Sequence, residues 1–179
     1  MIREEFRKKL ESRHTLLVVL WLRFICADFL YVWIADFILA HEPNAPRPAF
    51  SNMVRAGLWV LAVGDIWLLY GFWKKRFLTK EAVLTQPAKP QITASLRDHA
   101  SPVEERAAAV ISLYFTFKLS AFALAAAVAI YGFVLAFWGH YGTDQYVLSV
   151  VSLALLLYEF PSKAFLQELV REIEIRGDR

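Results

Sequence analysis

Charge is nearly absent from four long stretches of this chain, and that clumping constrains the fold more than any motif does. Thr15 to Ala40, Ala56 to Trp73, Ala107 to Trp138 and Tyr146 to Phe160 carry almost no Asp, Glu, Lys or Arg. A helix needs about 17–25 mostly apolar residues to cross a bilayer, and only the last run falls a little short. Hydrophobic residues make up 58% of the chain and charged ones 21%, against roughly 45–50% and about 25% in soluble domains. Disorder, a disulfide scaffold and a soluble enzyme are disfavoured together. The pattern predicts an all-α polytopic membrane protein with four transmembrane helices, in a single membrane domain.

The basic residues sort to one side of these runs. Five precede the first run (Arg3, Arg7, Lys8, Lys9, Arg13), seven lie between the second and third, and four follow the fourth. The first outer loop offers only Arg47 and Arg55, and the segment Gly139 to Gln145 has none. Positive charge collects on the cytoplasmic side of short loops. Both termini and the middle connection are therefore predicted to be cytoplasmic, with Lys89 inside and Asn44 outside. Trp73 and Tyr158 mark the inner edge, and Trp59, Trp138, Tyr141 and Tyr146 the outer one. The net charge of +3 is this topogenic bias and calls for no nucleic acid; the partners expected are the bilayer and other membrane helices, or further copies of the chain.

The first hairpin spans about residues 15–73, the cytoplasmic connection 74–106, the second hairpin about 107–160 and a tail 161–179. Within the connection, the TQPAKPQ stretch at 85–91 forbids continuous helix. Ser101-Pro102-Val103-Glu104-Glu105 reads as a helix start, with Ser101 as N-cap and Pro102 at the first helical position. The tail places Phe165, Leu166, Leu169, Val170 and Ile173 on one helical stripe. Such a stripe lies on the bilayer, grips a partner, or merely extends the fourth span. Cys26, the only thiol, sits inside the first span and reads as a small packing residue.

The two hairpins look alike. LLYGFWKKRFL at 68–78 and LLYEFPSKAFL at 156–166 share seven of eleven residues, and IADFILA at 34–40 matches IYGFVLA at 130–136 more weakly. The order suggests a duplicated hairpin. Residues 125–137, AAAVAIYGFVLAF, resemble the outer helix of the ATP synthase c-subunit (proteolipid) hairpin. The whole chain also resembles small bacterial four-span membrane proteins carrying such a hairpin, which implies the bacterial inner membrane. The family's ion-binding carboxylate would fall on Ala126, and on Leu30 in the first repeat. Neither residue can exchange a proton, so the resemblance implies a close-packed hairpin and argues against rotary ion transport.

Two sets of residues remain as candidate sites. Gly57, Gly64 and Gly71 recur every seven residues on span two, and Ala125, Ala129, Gly132 and Ala136 form a second small-residue face on span three. Such faces bring helices close, either within the chain, span two against span three, or at a seam with another subunit. Arg23, Asp28, Asp65 and Lys118 lie deep in the spans, where each unpaired charge costs at least about 2.5–3.5 kcal/mol. They read as a structural network or as an ion path. Counting depth at about 1.5 Å per residue puts Arg23 and Asp65 level, which predicts Asp65 as a hub held by Arg23, with Lys118 second. Asp36 and Glu159, near the span ends, are expected to be solvated.

No zinc spacing, phosphate loop or nucleophile–base pairing occurs, so no cofactor and no enzyme activity are expected. His41 and His140 end spans one and three on the outer side, where a metal between them is a remote alternative. The sequence favours a non-catalytic membrane subunit or scaffold over a small transporter or ion-coupled protein built on the four charges.

Overall fold

The structure is a computed structural model that describes residues 2–41, 51–85 and 99–177. Every regular element among these is helical: α1 (Glu4–His41), α2 (Ser51–Trp67), α3 (Lys74–Phe77), α4 (Lys80–Thr85), α5 (Pro102–Gly139), α6 (Gly142–Tyr158) and α7 (Lys163–Gly177). A π-helical turn, Leu68–Trp73, joins α2 to α3. Four helical stretches are long and apolar enough to cross a membrane: Glu4–His41, Ser51–Phe77, Pro102–Gly139 and Gly142–Ile175. Hydrocarbon offers no partner to a backbone N–H or C=O, so apolar runs of this length satisfy themselves as helix. Asn44, Lys89 and most of the TQPAKPQ stretch lie outside the described residues.

The chain divides into two compact units. The first comprises Met1–Leu20, Trp73–Ser120 and Pro161–Arg179. Its core is drawn from Ile2, Phe6, Leu10 and Leu17 on the N-terminal side, Val83 and Leu84 of α4, Ala107 to Ile111 of α5, and Leu166, Leu169, Val170 and Ile173 of α7. The apolar stripe of the tail is thus spent inside this unit. Phe165 packs on Tyr114 with ring centroids 5.3 Å apart, Lys163 pairs with Glu11 at 3.3 Å, and a His14 ring nitrogen lies 2.9 Å from the Pro161 carbonyl oxygen.

The expected start of α5 is realised. Ser101 Oγ accepts from the Glu104 N–H at 3.2 Å, which satisfies one of the four free donors at a helix N-terminus. Glu104 also does what no local pattern announces. It is buried, and it accepts from the Ala100 N–H at 2.8 Å, from the Arg3 N–H at 3.0 Å, and from Arg3 Nε and Nη2 at 2.9 Å each. The Arg3 guanidinium holds this carboxyl down to about 2, with the two backbone N–H groups assisting and burial opposing. Glu104 lies ahead of the apolar part of α5, in the first turn of that helix.

A folded pKa below the ordinary carboxylate value of about 4.3 means that the folded state favours the ionised form. The resulting stabilisation is present above that ordinary value and is lost as pH falls from there towards about 2. Thermal unfolding of the detergent-solubilised protein should therefore come at lower temperature as pH drops from about 5 to about 3. Glu104→Gln should flatten that slope; an unchanged slope would show that the Arg3 contact carries no weight.

The second unit comprises Trp21–Phe72 and Ala121–Phe160. Ala62, Val128, Leu135, Tyr141 and Leu148 form its buried core, with Leu58, Trp59, Ile66, Tyr131, Val151 and Leu155 packed around them. The spanning part of α1 joins through Trp21, whose Nε1 donates to the Leu156 carbonyl at 2.7 Å, and through Phe24 on Phe122 and Tyr31 on Phe133. Cys26 is exposed on α1 and does not pack inward. The link between α5 and α6 is shorter than its lack of charge suggested, only His140 and Tyr141. His140 takes a left-handed φ of 56°, a conformation that histidine tolerates better than most side chains. A Cβ on Gly139 would collide with the Tyr141 ring.

Candidate functional site

Several buried polar residues of the second unit lie along α6. Asp144, Gln145, Ser149 and Ser152 are buried on this helix, and Glu159 is buried just beyond its end. Positions 145, 149, 152 and 159 follow a four-three-seven spacing, which keeps them on one face of a helix. Glu159, expected to be wet, is 1% exposed. The helix stops there because Pro161 cannot continue it, and the stop leaves the carboxyl inside the protein.

At the N-terminal end of α6, Arg55 of α2 grips Asp144 with a fork of two bonds, one of them Nη2 to Oδ1 at 2.9 Å. The guanidinium lies 4.9 Å from the centroid of the Tyr141 ring. Tyr141 in turn donates to Asn52 Oδ1 at 2.8 Å and lies within 3.2 Å of Ser51 Oγ. Asp144 sits in the first turn of α6, where the helix dipole favours an anion. Both residues lie where the charge count put the outer loops, yet nothing in the sequence joined them.

The predicted four-charge layer does not form as drawn. Asp65 is half-buried, and it accepts a hydrogen bond from the Tyr131 hydroxyl at 2.7 Å instead of pairing with Arg23. Arg23 is exposed on α1. The cause is angular. Arg23 and Asp28 are five residues apart, or roughly 140° around a helix of about 3.6 residues per turn. Since Asp28 and Ala35 face inward, Arg23 faces out. Lys118 is buried. Asp36, also exposed, takes a hydrogen bond from the Tyr146 hydroxyl.

Asp28 is the member of the set with the most unusual surroundings. It is 4% exposed, and neither carboxyl oxygen has a hydrogen-bond partner among the described residues. The Ser149 and Ser152 hydroxyls of α6 are its polar neighbours, but neither reaches hydrogen-bonding geometry with it. The Ser152 hydroxyl is likewise without a partner among the described residues. Beside the carboxyl lies a cavity of about 200 Å³ lined by Asp28, Phe29 and Val32 of α1 and by Tyr146, Ser149, Val150 and Leu153 of α6.

The small-residue faces part company. Ala125, Ala129, Gly132 and Ala136 are all buried, and Gly132 lets α5 and α6 touch: a Cβ there would lie 3.0 Å from Gln145 Oε1 and 3.1 Å from Leu148 Cβ. Gly57 and Gly64 do not pack against span three. Among the described residues a Cβ on either would meet nothing within 4 Å, and the nearest atoms to one on Gly71 belong to Trp67 of the same helical stretch. Their face of α2 is outward. No group of three His, Cys, Asp or Glu residues that could hold a metal occurs among the described residues. His41 is exposed and turns its Nδ1 to the Phe37 carbonyl oxygen at 2.7 Å.

Sequence reasoning missed Tyr131, Gln145, Ser149 and Ser152. The spacing of polar residues along α6 was the available signal, and it is visible only when serine and glutamine are counted with the charges. The architecture defines a class, a helical protein with four segments able to cross a membrane. No family model, curated protein or solved structure matches the chain.

Proposed function

We propose that the protein is a non-catalytic integral membrane subunit that packs against other membrane helices through the outer face of α2. The observation that carries this reading is the bare glycine face. Gly57 and Gly64 have open space where a Cβ would stand, and exposed Met53, Val60, Leu61 and Trp67 surround them on α2. Glycine costs helix stability of about 0.5–1 kcal/mol relative to alanine. Two of them on an outward face make sense where another backbone comes close. Arg23 adds to this: a guanidinium on the exposed side of a spanning helix needs a partner or a route to the lipid headgroups. The distribution of Lys and Arg supports a cytoplasmic location for both termini, and the resemblance to small bacterial four-span proteins supports a bacterial inner membrane.

Because the Cβ space at Gly64 is empty, Gly64→Leu should leave folding untouched. Its native mass in mild detergent should fall from that of an assembly to that of a single chain, with the thermal unfolding midpoint unchanged. A wild-type protein that is monomeric, or a Gly64→Leu variant that keeps its assembly, would rule the reading out. A second reading, an ion-coupled protein, is favoured by one observation, Asp28 at the wall of a cavity with its carboxyl unpartnered among the described residues.

A further inference from the structure

We propose that the cavity between α1 and α6 in the second unit is a binding site for a small organic monocation, an alkylammonium with an apolar body, held at Asp28. The inference does not depend on the assembly reading. An isolated carboxylate is among the most expensive groups to bury, and buried charges in proteins are paired. Asp28 is 4% exposed with neither oxygen hydrogen-bonded among the described residues, in the middle of a span. It stands at the wall of a cavity of about 200 Å³, so a cation that would let the carboxyl ionise has a place to sit.

The lining selects the chemistry of that cation. Apart from Asp28 and Ser149, the wall is Phe29, Val32, Tyr146, Val150 and Leu153. A bare metal cation would exchange its hydration shell for hydrocarbon, because hard cations seek about six or more oxygen ligands. An organic ammonium carries its own apolar surface to meet Val32, Val150 and Leu153. Phe29 and Tyr146 in the wall are aromatic, and aromatic rings attract such cations, more strongly where water is excluded. The volume lies below the roughly 300–1,000 Å³ of sites for drug-sized molecules, so the ligand is a smaller amine. Phe29 is 60% and Val150 66% exposed, which leaves the cavity open on the side that meets lipid, and a lipophilic cation enters from the bilayer.

The test uses the full-length protein in lipid nanodiscs, titrated with benzyltrimethylammonium and with its neutral isostere neopentylbenzene, empty nanodiscs serving as the blank. Wild type should bind the cation saturably, and Asp28→Asn should weaken it at least tenfold. The isostere should bind weakly and equally to both. Val150→Trp, which fills the cavity without touching the carboxyl, should also abolish binding while leaving the unfolding midpoint in place, and it decides the matter if Asp28→Asn fails to fold. Equal affinity of wild type and Asp28→Asn for the cation would overturn the proposal. So would unchanged binding by Val150→Trp, no saturable binding by wild type, or displacement of the probe by millimolar sodium, which would make the site one for an inorganic ion.

Discussion

Gly132→Leu should prevent the folded protein from accumulating in the membrane, the largest effect expected of any single substitution here. A Cβ at this position would already stand 3.0 Å from Gln145 Oε1, 3.1 Å from Leu148 Cβ and 3.2 Å from Gln145 Cα. The last of these is backbone and can yield only if α6 moves. Overpacking by a methyl or two costs about 1–3 kcal/mol. Gly132→Ala recovers up to about 1 kcal/mol of that through helix propensity and should be tolerated with modest loss. A leucine cannot fit unless α5 and α6 separate, and their separation would also strip Leu148 and Tyr141 from the core they share with Val128 and Leu135. Size-exclusion profiles and unfolding midpoints of Gly132→Ala, Gly132→Leu and Gly64→Leu measure the contrast. If Gly132→Leu is as well folded as Gly64→Leu, the α5–α6 approach does not limit stability.

Asp144→Ala should destabilise the protein by about 1.5–3 kcal/mol, the range for losing hydrogen bonds to a charged group. The figure is kept below the roughly 3–5 kcal/mol of a fully buried pair, because the Arg55 side chain is 46% exposed and reaches water when its partner is removed. Removing the carboxylate also takes an anion from the first turn of α6, worth about 0.3–1 kcal/mol. Asp144→Asn should lose less, since an amide oxygen still accepts from the guanidinium. Arg55→Lys should behave nearly as Arg55→Ala, because an ammonium has no planar fork to match both carboxyl oxygens. Arg55→Met combined with Asp144→Leu should recover part of the loss, as replacing both members of an ion pair with apolar groups often does. Chemical unfolding in detergent reads all of these variants. Additive losses in the double variant would mean that the two residues act separately.

How far the sequence reached can be followed residue by residue. The four spans were legible because charge avoidance is a property of composition along a line. The start of α5 was legible because a cap involves residues three apart, Ser101 and Glu104. The apolar stripe of α7 was legible as a face, but its destination was not. Leu169 and Ile173 are buried within the first unit, and no periodicity can say whether such a face meets lipid, a partner or its own chain. The same holds for the glycines. A seven-residue spacing placed Gly57, Gly64 and Gly71 on one side of a helix without telling which way that side looks, and the structure turns it outward.

The Arg23–Asp65 pair failed for a related reason. Depth in a membrane follows from counting residues at about 1.5 Å each, and that count made the two residues level. Pairing also requires facing azimuths, and azimuth is set by which residues each helix buries against its neighbours. Asp28 and Ala35 claim the inner side of α1, and Tyr131 reaches Asp65 first. What the sequence determined alone was one-dimensional: helix, span, boundary, and the order of charges along each span. Only the tertiary structure decided which residues meet, because the rotation of a helix about its axis is settled by contacts with helices far away along the chain.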